Sequence, residues 1–245
     1  MKVVLGFLYR ATQRVREEIF HIVQPKVTEM YPWDGVIVED SGHALFNRAA
    51  TRNLIVKKAQ AMGADVVVIC DADSIPEPYQ LKMAIDQAYQ TGGMYIPFTK
   101  VTVIPHKGVF RSYQDYRSVN ELYAYGPSCG GIFVCRPSTW VYVGGMDERI
   151  QGWGYEDQIF IVALKTFIGG YTCINGLLYN FMHPRGHDNV NGPENAELRD
   201  KYHSAINKPA EVRRLSVGSN DFCTDEGSPD AITRLWRGVS PVSNG

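Results

Sequence analysis

Apolar runs of strand length alternate with segments of helical periodicity through the first 91 residues, and this alternation limits the fold more than any other feature. The apolar runs cover residues 2–9, 35–39 and 65–70, and helical spacing covers residues 12–28, 44–62 and 77–91. Such a βαβαβα order predicts a parallel sheet, because each helix carries the chain back across the sheet. Runs that are apolar throughout indicate strands covered on both faces. We therefore predict an α/β, Rossmann-like fold with a mostly parallel central sheet and helices on both faces.

The second half of the chain is less regular. Apolar patterning predicts strands at residues 130–135 and 171–181 and a helix at residues 156–167. From residue 207 onward Ser, Gly, Pro and charged residues dominate, a composition typical of poorly packed chain ends. We therefore expect a single domain over residues 1–206, followed by a loosely packed or partly disordered tail over residues 207–245.

Charge and hydropathy exclude several classes of partner. Lys and Arg number 25 against 26 Asp and Glu, a net charge of −1, so no basic field favours nucleic acid. No apolar run reaches the roughly 20 residues that span a bilayer. The five cysteines are odd in number and scattered, which indicates reduced thiols. We expect a cytoplasmic protein that binds neither nucleic acid nor membrane.

Two aspartates, Asp71 and Asp73, follow the third predicted strand. Alternate residues of an extended chain point the same way, so these carboxylates project together. They repel each other unless a cation or hydrogen-bond donors lie between them, and such oxygen ligands suit Mg²⁺ or Mn²⁺ carrying a diphosphate. Ligands bind parallel sheets at this end of the strands. The short motif is equally compatible with two aspartates that cap the turn and the next helix.

The segment GWGYED, residues 152–157, combines Trp153 between two glycines with the adjacent acids Glu156 and Asp157. An indole face can stack on the C–H face of a sugar, and a nearby carboxylate can remove a hydroxyl proton. Acidic residues in a first helical turn also stabilise the helix. The motif alone therefore leaves a catalytic and a structural interpretation open.

Basic residues and histidines lie near the same strand ends. Arg10 follows the first strand and Arg48 begins the second helix, where together they could bind a phosphate. The alternative is an exposed basic face that would include Arg52. His183 and His187 follow the last predicted strand, and imidazole beside carboxylate favours Mn²⁺.

In order along residues 1–190, these motifs resemble the nucleotide-sugar glycosyltransferases of the GT-A fold. The nearest family is the β-1,4-galactosyltransferases, with the polypeptide N-acetylgalactosaminyltransferases as relatives. The matching positions are Arg10, FNRA at 46–49 with Asn53 downstream, DAD at 71–73, Gly-Gly at 130–131, GGMDE at 144–148, GWGYED at 152–157 and His183. The resemblance implies the GT-A fold and transfer of a sugar from a UDP-sugar to a hydroxyl of a glycan, a protein or another acceptor. It also implies Mn²⁺ or Mg²⁺ as cofactor.

The resemblance also gives each matching position a role. It implies donor contacts from Arg10, Asp40, Asn47, Arg48 and Asp71, metal ligands Asp71, Asp73 and His183, and acceptor contacts from Trp153, Tyr155, Gly130 and Gly131. Asp157 resembles the base of inverting enzymes, and Glu156 the residue that binds acceptor hydroxyls. A retaining, N-acetylgalactosaminyltransferase-like enzyme and a carbohydrate-binding protein on a degenerate transferase fold are the alternatives. Because the membrane anchor and stem of Golgi relatives are lacking, we expect a bacterial or phage enzyme.

Overall fold

The computed structural model describes residues 1–11, 13–105, 130–152, 154–183 and 192–222. The strands are β1 (Val3–Leu8), β2 (Gly35–Glu39), β3 (Val66–Asp71), β4 (Ser74–Pro76), β5 (Tyr95–Ile96), β6 (Lys100–Ile104), β7 (Ile132–Cys135), β8 (Thr172–Cys173) and β9 (Leu177–Phe181). The helices are α1 (Arg14–Thr28), α2 (Arg48–Ala61), α3 (Pro78–Thr91), α4 (Pro137–Val143), α5 (Glu156–Ile168), α6 (Pro193–Ser204) and α7 (Pro209–Ser216). Within these ranges no helix has the length and apolar character needed to cross a membrane.

The main sheet has six strands in the order β2-β1-β3-β7-β5-β8. β1 pairs in parallel with β2 and β3, and β5 pairs in parallel with β8. β7 is antiparallel to both of its neighbours, β3 and β5. The predicted α/β fold with a mostly parallel central sheet is therefore confirmed.

The close approach of α2 to β1 positions one wall of the site. A Cβ added at Gly6 would lie 2.2 Å from Ile55 Cγ2, so glycine at this position lets the helix pack directly on the sheet. Because a helix that follows a parallel strand runs back across the sheet, the first turn of α2 lies at the carboxyl ends of the strands. Arg48 and Arg52 are thereby brought to the end of β3.

A second sheet has three strands in the order β4-β9-β6 and adjoins the end of β3. The sequence predicted one strand over residues 171–181, whereas the structure divides it into β8 and β9, one in each sheet. In the second sheet Ser74 pairs with Asn180, and the N–H of Phe181 donates to the carbonyl of Asp73 at 2.8 Å. The chain that leaves β9 therefore passes beside the aspartates after β3.

The first residues of the predicted tail form α7. Its Val212 is buried in a small apolar cluster with Ile159 of α5 and Tyr202 of α6. Residues 223–245 lie outside the described part of the chain. The domain boundary between residues 206 and 207 stays a prediction.

Candidate active site

A cleft of about 450 Å³, including the open solvent at its mouth, lies at the carboxyl ends of β1 and β3. Its wall includes apolar side chains of β1 and α1. Its polar lining consists of Arg10, Arg16, Arg48, Asp71, Asp73 and His183. The sequence predicted ligand binding at this end of the sheet, and three arginines there favour an anionic ligand.

Asp73 and His183 meet inside this cleft. His183 Nε2 lies 3.1 Å from Asp73 Oδ2, although 110 residues separate them in the sequence. The hydroxyl of Ser74 and the side-chain amide of Asn180 donate to Asp73 Oδ1 at 3.0 and 3.1 Å. Burial would raise the pKa of Asp73, but the hydrogen bond and charge of His183, with the charge of Arg48, lower it overall. Asp73 is therefore a carboxylate at neutral pH.

This pair has the donor atoms of a divalent metal site. A carboxylate oxygen and an imidazole nitrogen that face an open cleft fit a cation that completes its coordination with phosphate oxygens and water. Among the residues with described positions, no three His, Cys, Asp or Glu side chains come close enough to hold a metal together. Asp71, predicted as a third ligand, instead accepts from Arg52 at 3.0 and 3.3 Å. His187 lies outside the described residues.

Arg52 occupies the centre of the polar cluster. Its side chain is fully buried, and Nη1 donates to Asp157 Oδ1 at 3.1 Å while Nη2 contacts Asp71. Burial alone would lower the pKa of Arg52, but the charges of Asp71, Asp157 and Glu156 raise it overall. The alternative of an exposed basic face is wrong for this residue. A signal was present in the sequence, because Ile55 lies one helical turn after Arg52 on the buried face of α2.

Glu156 and Asp157 diverge at the start of α5, as adjacent helical residues must. Glu156 is 4% exposed, accepts from the N–H of Gly154 at 3.1 Å, and has Oε1 3.6 Å from Arg48 Nη1. Asp157 keeps 28% of its side chain exposed. Burial, then the charge of Glu156, raises the pKa of Asp157 to about 7, against the opposing charge of Arg52. A carboxylate with this pKa is suited to accept a proton near neutral pH.

Arg10 and Asp40 form a bidentate ion pair at the edge of the cleft. Arg10 Nε and Nη2 donate to the two oxygens of Asp40 at 2.6 and 2.7 Å, and Nη2 also donates to the carbonyl of His43 at 2.6 Å. The hydrogen bond from Arg10 lowers the pKa of Asp40. The contacts of Arg10 with Asp40 and His43 thus fix the loop between β2 and α2 to the end of β1. The donor contacts predicted for both residues stay predictions.

Asn47 has a structural position that the sequence did not indicate. It is fully buried, its Oδ1 caps α2 by accepting from the N–H of Ala50 at 3.0 Å, and its amide donates to the carbonyl of Glu148 at 2.7 Å. Both polar atoms of the side chain are therefore used inside the protein, and we do not retain Asn47 as a donor contact.

The predicted acceptor residues belong to two segments, one that precedes α5 and one that precedes β7. Trp153 is outside the described residues. Tyr155 is the N-cap residue that precedes α5, in the left-handed region at φ 73°, and the guanidinium of Arg199 on α6 lies 4.4 Å from its ring centroid. Gly131 precedes β7 at φ +100°, and a Cβ there would lie 2.7 Å from Leu178, so its glycine serves the packing of the two sheets. The predicted acceptor contacts of Gly130, Gly131 and Tyr155 stay predictions.

Asn53 is a structurally important residue to which the sequence gave no role. Its amide donates to the carbonyl of Met146 and to Glu148 Oε1, both at 2.8 Å. Its Oδ1 accepts from Trp140 Nε1 at 2.8 Å and from the N–H of Met146 at 3.0 Å. Asn53 thereby fastens the GGMDE segment, residues 144–148, to α2. In the sequence Asn53 entered the motif order only as the asparagine downstream of FNRA at 46–49, with no role attached.

Two comparisons of the sequence with known proteins gave different results. A protein family described as the N-terminal domain of galactosyltransferase matches residues 112–177, about a quarter of the chain. No curated protein sequence matches the chain.

Solved structures of glycosyltransferases resemble this chain over most of its length. The catalytic domain of Drosophila β1,4-galactosyltransferase 7, solved with xylobiose, has 20% identity and a TM-score of 0.58, with 82% of this chain and 80% of that chain covered. Staphylococcus aureus TarS has 12% identity and a TM-score of 0.53, with 88% and 42% covered. GalNAc-T7, solved with UDP, GalNAc and Mn²⁺, has 11% identity and a TM-score of 0.52, with 90% and 52% covered. This chain thus spans about half the length of the last two proteins.

At these identities the structural likeness shows the fold, which is the GT-A fold that the motifs predicted. Together with the match to the galactosyltransferase domain, it confirms the resemblance to GT-A glycosyltransferases and the prediction of a glycosyltransferase.

Proposed function

We propose that this GT-A glycosyltransferase moves one sugar from a UDP-sugar to an acceptor hydroxyl, in a metal-dependent reaction that inverts the anomeric configuration. The observation that carries the proposal is the meeting of Asp73 and His183 in a cleft that Arg10 and Arg48 also line. A carboxylate–imidazole pair beside two guanidinium groups is suited to a diphosphate that arrives with a divalent cation.

Asp73 and His183 are the residues that would hold Mn²⁺ or Mg²⁺. When bound there, the cation supplies positive charge against the charge that develops on the departing diphosphate. The lowered pKa of Asp73 keeps this side chain in the ionised form that a metal ligand needs. Arg48, at the first turn of α2, adds a donor with fixed charge on the same side of the cleft.

The solved relatives support the choice of donor and cofactor. GalNAc-T7 was solved with UDP, GalNAc and Mn²⁺, and the Drosophila β1,4-galactosyltransferase 7 domain with the disaccharide xylobiose. By analogy with these proteins we propose a UDP-sugar donor for this chain, with a hydroxyl of a glycan, a protein or another molecule as acceptor. The donor sugar is to be found by measuring UDP release from a panel of UDP-hexoses and UDP-N-acetylhexosamines with Mn²⁺.

Asp157 is the residue that we propose as the base. It is more exposed than its neighbour Glu156, and its pKa of about 7 suits removal of the acceptor proton as the hydroxyl attacks the anomeric carbon. Glu156 points inward to Arg48 and the N–H of Gly154, so it fixes the start of α5. In this proposal Glu156 orders the site, and Asp157 performs the proton transfer.

Replacement of Asp157 by asparagine tests the proposed role. The variant should lower kcat about 10²–10⁴-fold, the usual contribution of a general base, and leave UDP affinity measured with Mn²⁺ unchanged. Glu156→Gln, the matched control, should weaken folding more than it weakens the chemical step, because Glu156 is buried against Arg48.

The anomeric configuration of the product, read by NMR, separates this mechanism from the alternatives. Inversion supports Asp157 as base, whereas a product with the donor's configuration would favour the retaining, N-acetylgalactosaminyltransferase-like alternative. A carbohydrate-binding protein on a degenerate fold predicts sugar binding without UDP release from any donor of the panel.

A further inference from the structure

The geometry points to Arg52 as a positioning residue that holds the proposed base Asp157 in a fixed relation to Asp71 at the end of β3. This inference rests on the proposed function, since it concerns the same transfer reaction. Asp71 belongs to the strand end that forms the donor cleft, and Asp157 belongs to the segment predicted to face the acceptor. Arg52 would therefore align the two sides of the site.

The contacts of the guanidinium carry the inference. Arg52 Nη2 reaches both oxygens of Asp71 at 3.0 and 3.3 Å, and Nη1 reaches Asp157 Oδ1 at 3.1 Å. The two Nη atoms belong to one rigid planar group, so they fix the separation of the two carboxylates they bind. The carboxylates come from motifs far apart in the chain, 19 and 105 residues from Arg52.

Arg52 is itself held firmly. Its side chain is fully buried, its guanidinium carbon lies 5.1 Å from the ring centroid of Phe133 on β7, and Nη1 lies 3.7 Å from the sulfur of Met146. Its Nε is buried and has no hydrogen-bond partner among the residues whose positions are described. The side chain thus leaves Nε without a partner among the described residues and directs both Nη groups at the carboxylates.

Charge repulsion explains why loss of Arg52 should disturb the base. Glu156 Oε1 also lies 3.7 Å from Arg52 Nη1, so three carboxylates share the neighbourhood of this cation. Without it, we expect Asp157 to be the carboxylate that turns toward solvent, because it is the most exposed of the three. The expected consequence is a loss of turnover, since the base then leaves the acceptor position.

A double-mutant cycle between Arg52 and Asp157 tests the inference. Arg52→Met keeps an unbranched apolar stem and removes the guanidinium group with its charge. It should lower kcat about 10²-fold or more, and the double variant with Asp157→Asn should be no slower than Asp157→Asn alone, because Arg52 acts through Asp157. Calorimetry should give a UDP affinity with Mn²⁺ within about threefold of wild type, because the hydrogen bonds shown for Asp73 come from Ser74, Asn180 and His183.

A purely structural role predicts losses that multiply in the double variant, and that result would overturn the inference. Arg52→Lys provides a second cycle should Arg52→Met fail to fold. It retains the charge but not the two-pronged geometry, and it should lower kcat about tenfold. Wild-type turnover in Arg52→Lys would also overturn the inference.

The matched control is Arg14→Met, which removes an arginine from an exposed pair with Glu18 on α1 and should leave kcat unchanged. If Asp157→Asn alone retains full turnover, the proposed base fails first. If Asp157→Asn is slow and the Arg52 losses multiply, the proposed base stands and only the role of Arg52 fails.

Discussion

Replacing Asp157 by asparagine should stabilise the folded protein at pH 8, although it removes the proposed base. Burial and the charge of Glu156 raise the pKa of Asp157 from 3.8 to about 7. The carboxylate is therefore less favourable in the folded protein than in the unfolded chain, whereas an amide of the same shape carries no charge into this environment. A side chain that lowers the stability of the folded protein is expected at a catalytic centre.

The sign and size follow from linkage between protonation and folding. A carboxyl whose pKa rises on folding binds its proton more tightly in the folded state, so it costs no stability below pH 3.8. The cost grows between pH 3.8 and about 7 and is complete above about 7. A shift of this size corresponds to an upper limit of roughly 4 kcal/mol. We expect the free energy of unfolding of Asp157→Asn at pH 8 to exceed that of wild type by at least about 1 kcal/mol. For a chain of this length, this corresponds to a rise of at least about 2 °C in Tm.

Thermal and urea unfolding of both proteins between pH 5 and pH 8 measures this effect. The advantage of Asp157→Asn should grow with pH over the interval and level off above pH 7. Asp86→Asn is the matched control, because Asp86 forms an exposed pair with Lys82 on α3, and its effect should stay within about 0.5 kcal/mol at every pH. A variant less stable than wild type at pH 8, or a difference that does not change with pH, would refute the reasoning.

Three further predictions concern the metal pair and the framework. A chelator should abolish sugar transfer, and Mn²⁺ should restore it better than Ca²⁺. Asp73→Ala should bind UDP more weakly than wild type when calorimetry is done with Mn²⁺, and an unchanged affinity would contradict the metal role. Gly145→Ala should lower the free energy of unfolding by about 1–3 kcal/mol more than Gly63→Ala does. Both glycines have positive φ, but only at Gly145 would the added Cβ meet another group, Asn53 Oδ1 at 2.8 Å. Asn53→Ala should cost about 2–3 kcal/mol in urea unfolding, because it leaves the buried indole N–H of Trp140 without its acceptor. A loss below about 1 kcal/mol would show that the contact carries no such penalty.

Much of the main sheet could be predicted because its signals are local. The strand predicted at residues 35–39 has those bounds in the structure, and β1 and β3 begin one residue later than predicted. The strand β5 was not predicted, because its two residues are too few to display a period. The strand β6 was also missed, because Lys100 and Thr102 interrupt the continuous apolar run that marked the predicted strands. Periodicity also gave no reason to divide residues 171–181 between two sheets.

The sequence by itself determined the βαβαβα order, the placement of Asp71 and Asp73 at a strand end, and the divergence of Glu156 from Asp157, since each depends on residues close in the chain. Only the tertiary structure decided that His183 reaches Asp73 and that Asp71 turns to Arg52. These contacts depend on how β9 registers with β4 and on how closely α2 packs on β1. Local pattern cannot supply either quantity, because register and packing distance are set by the side chains of both partners.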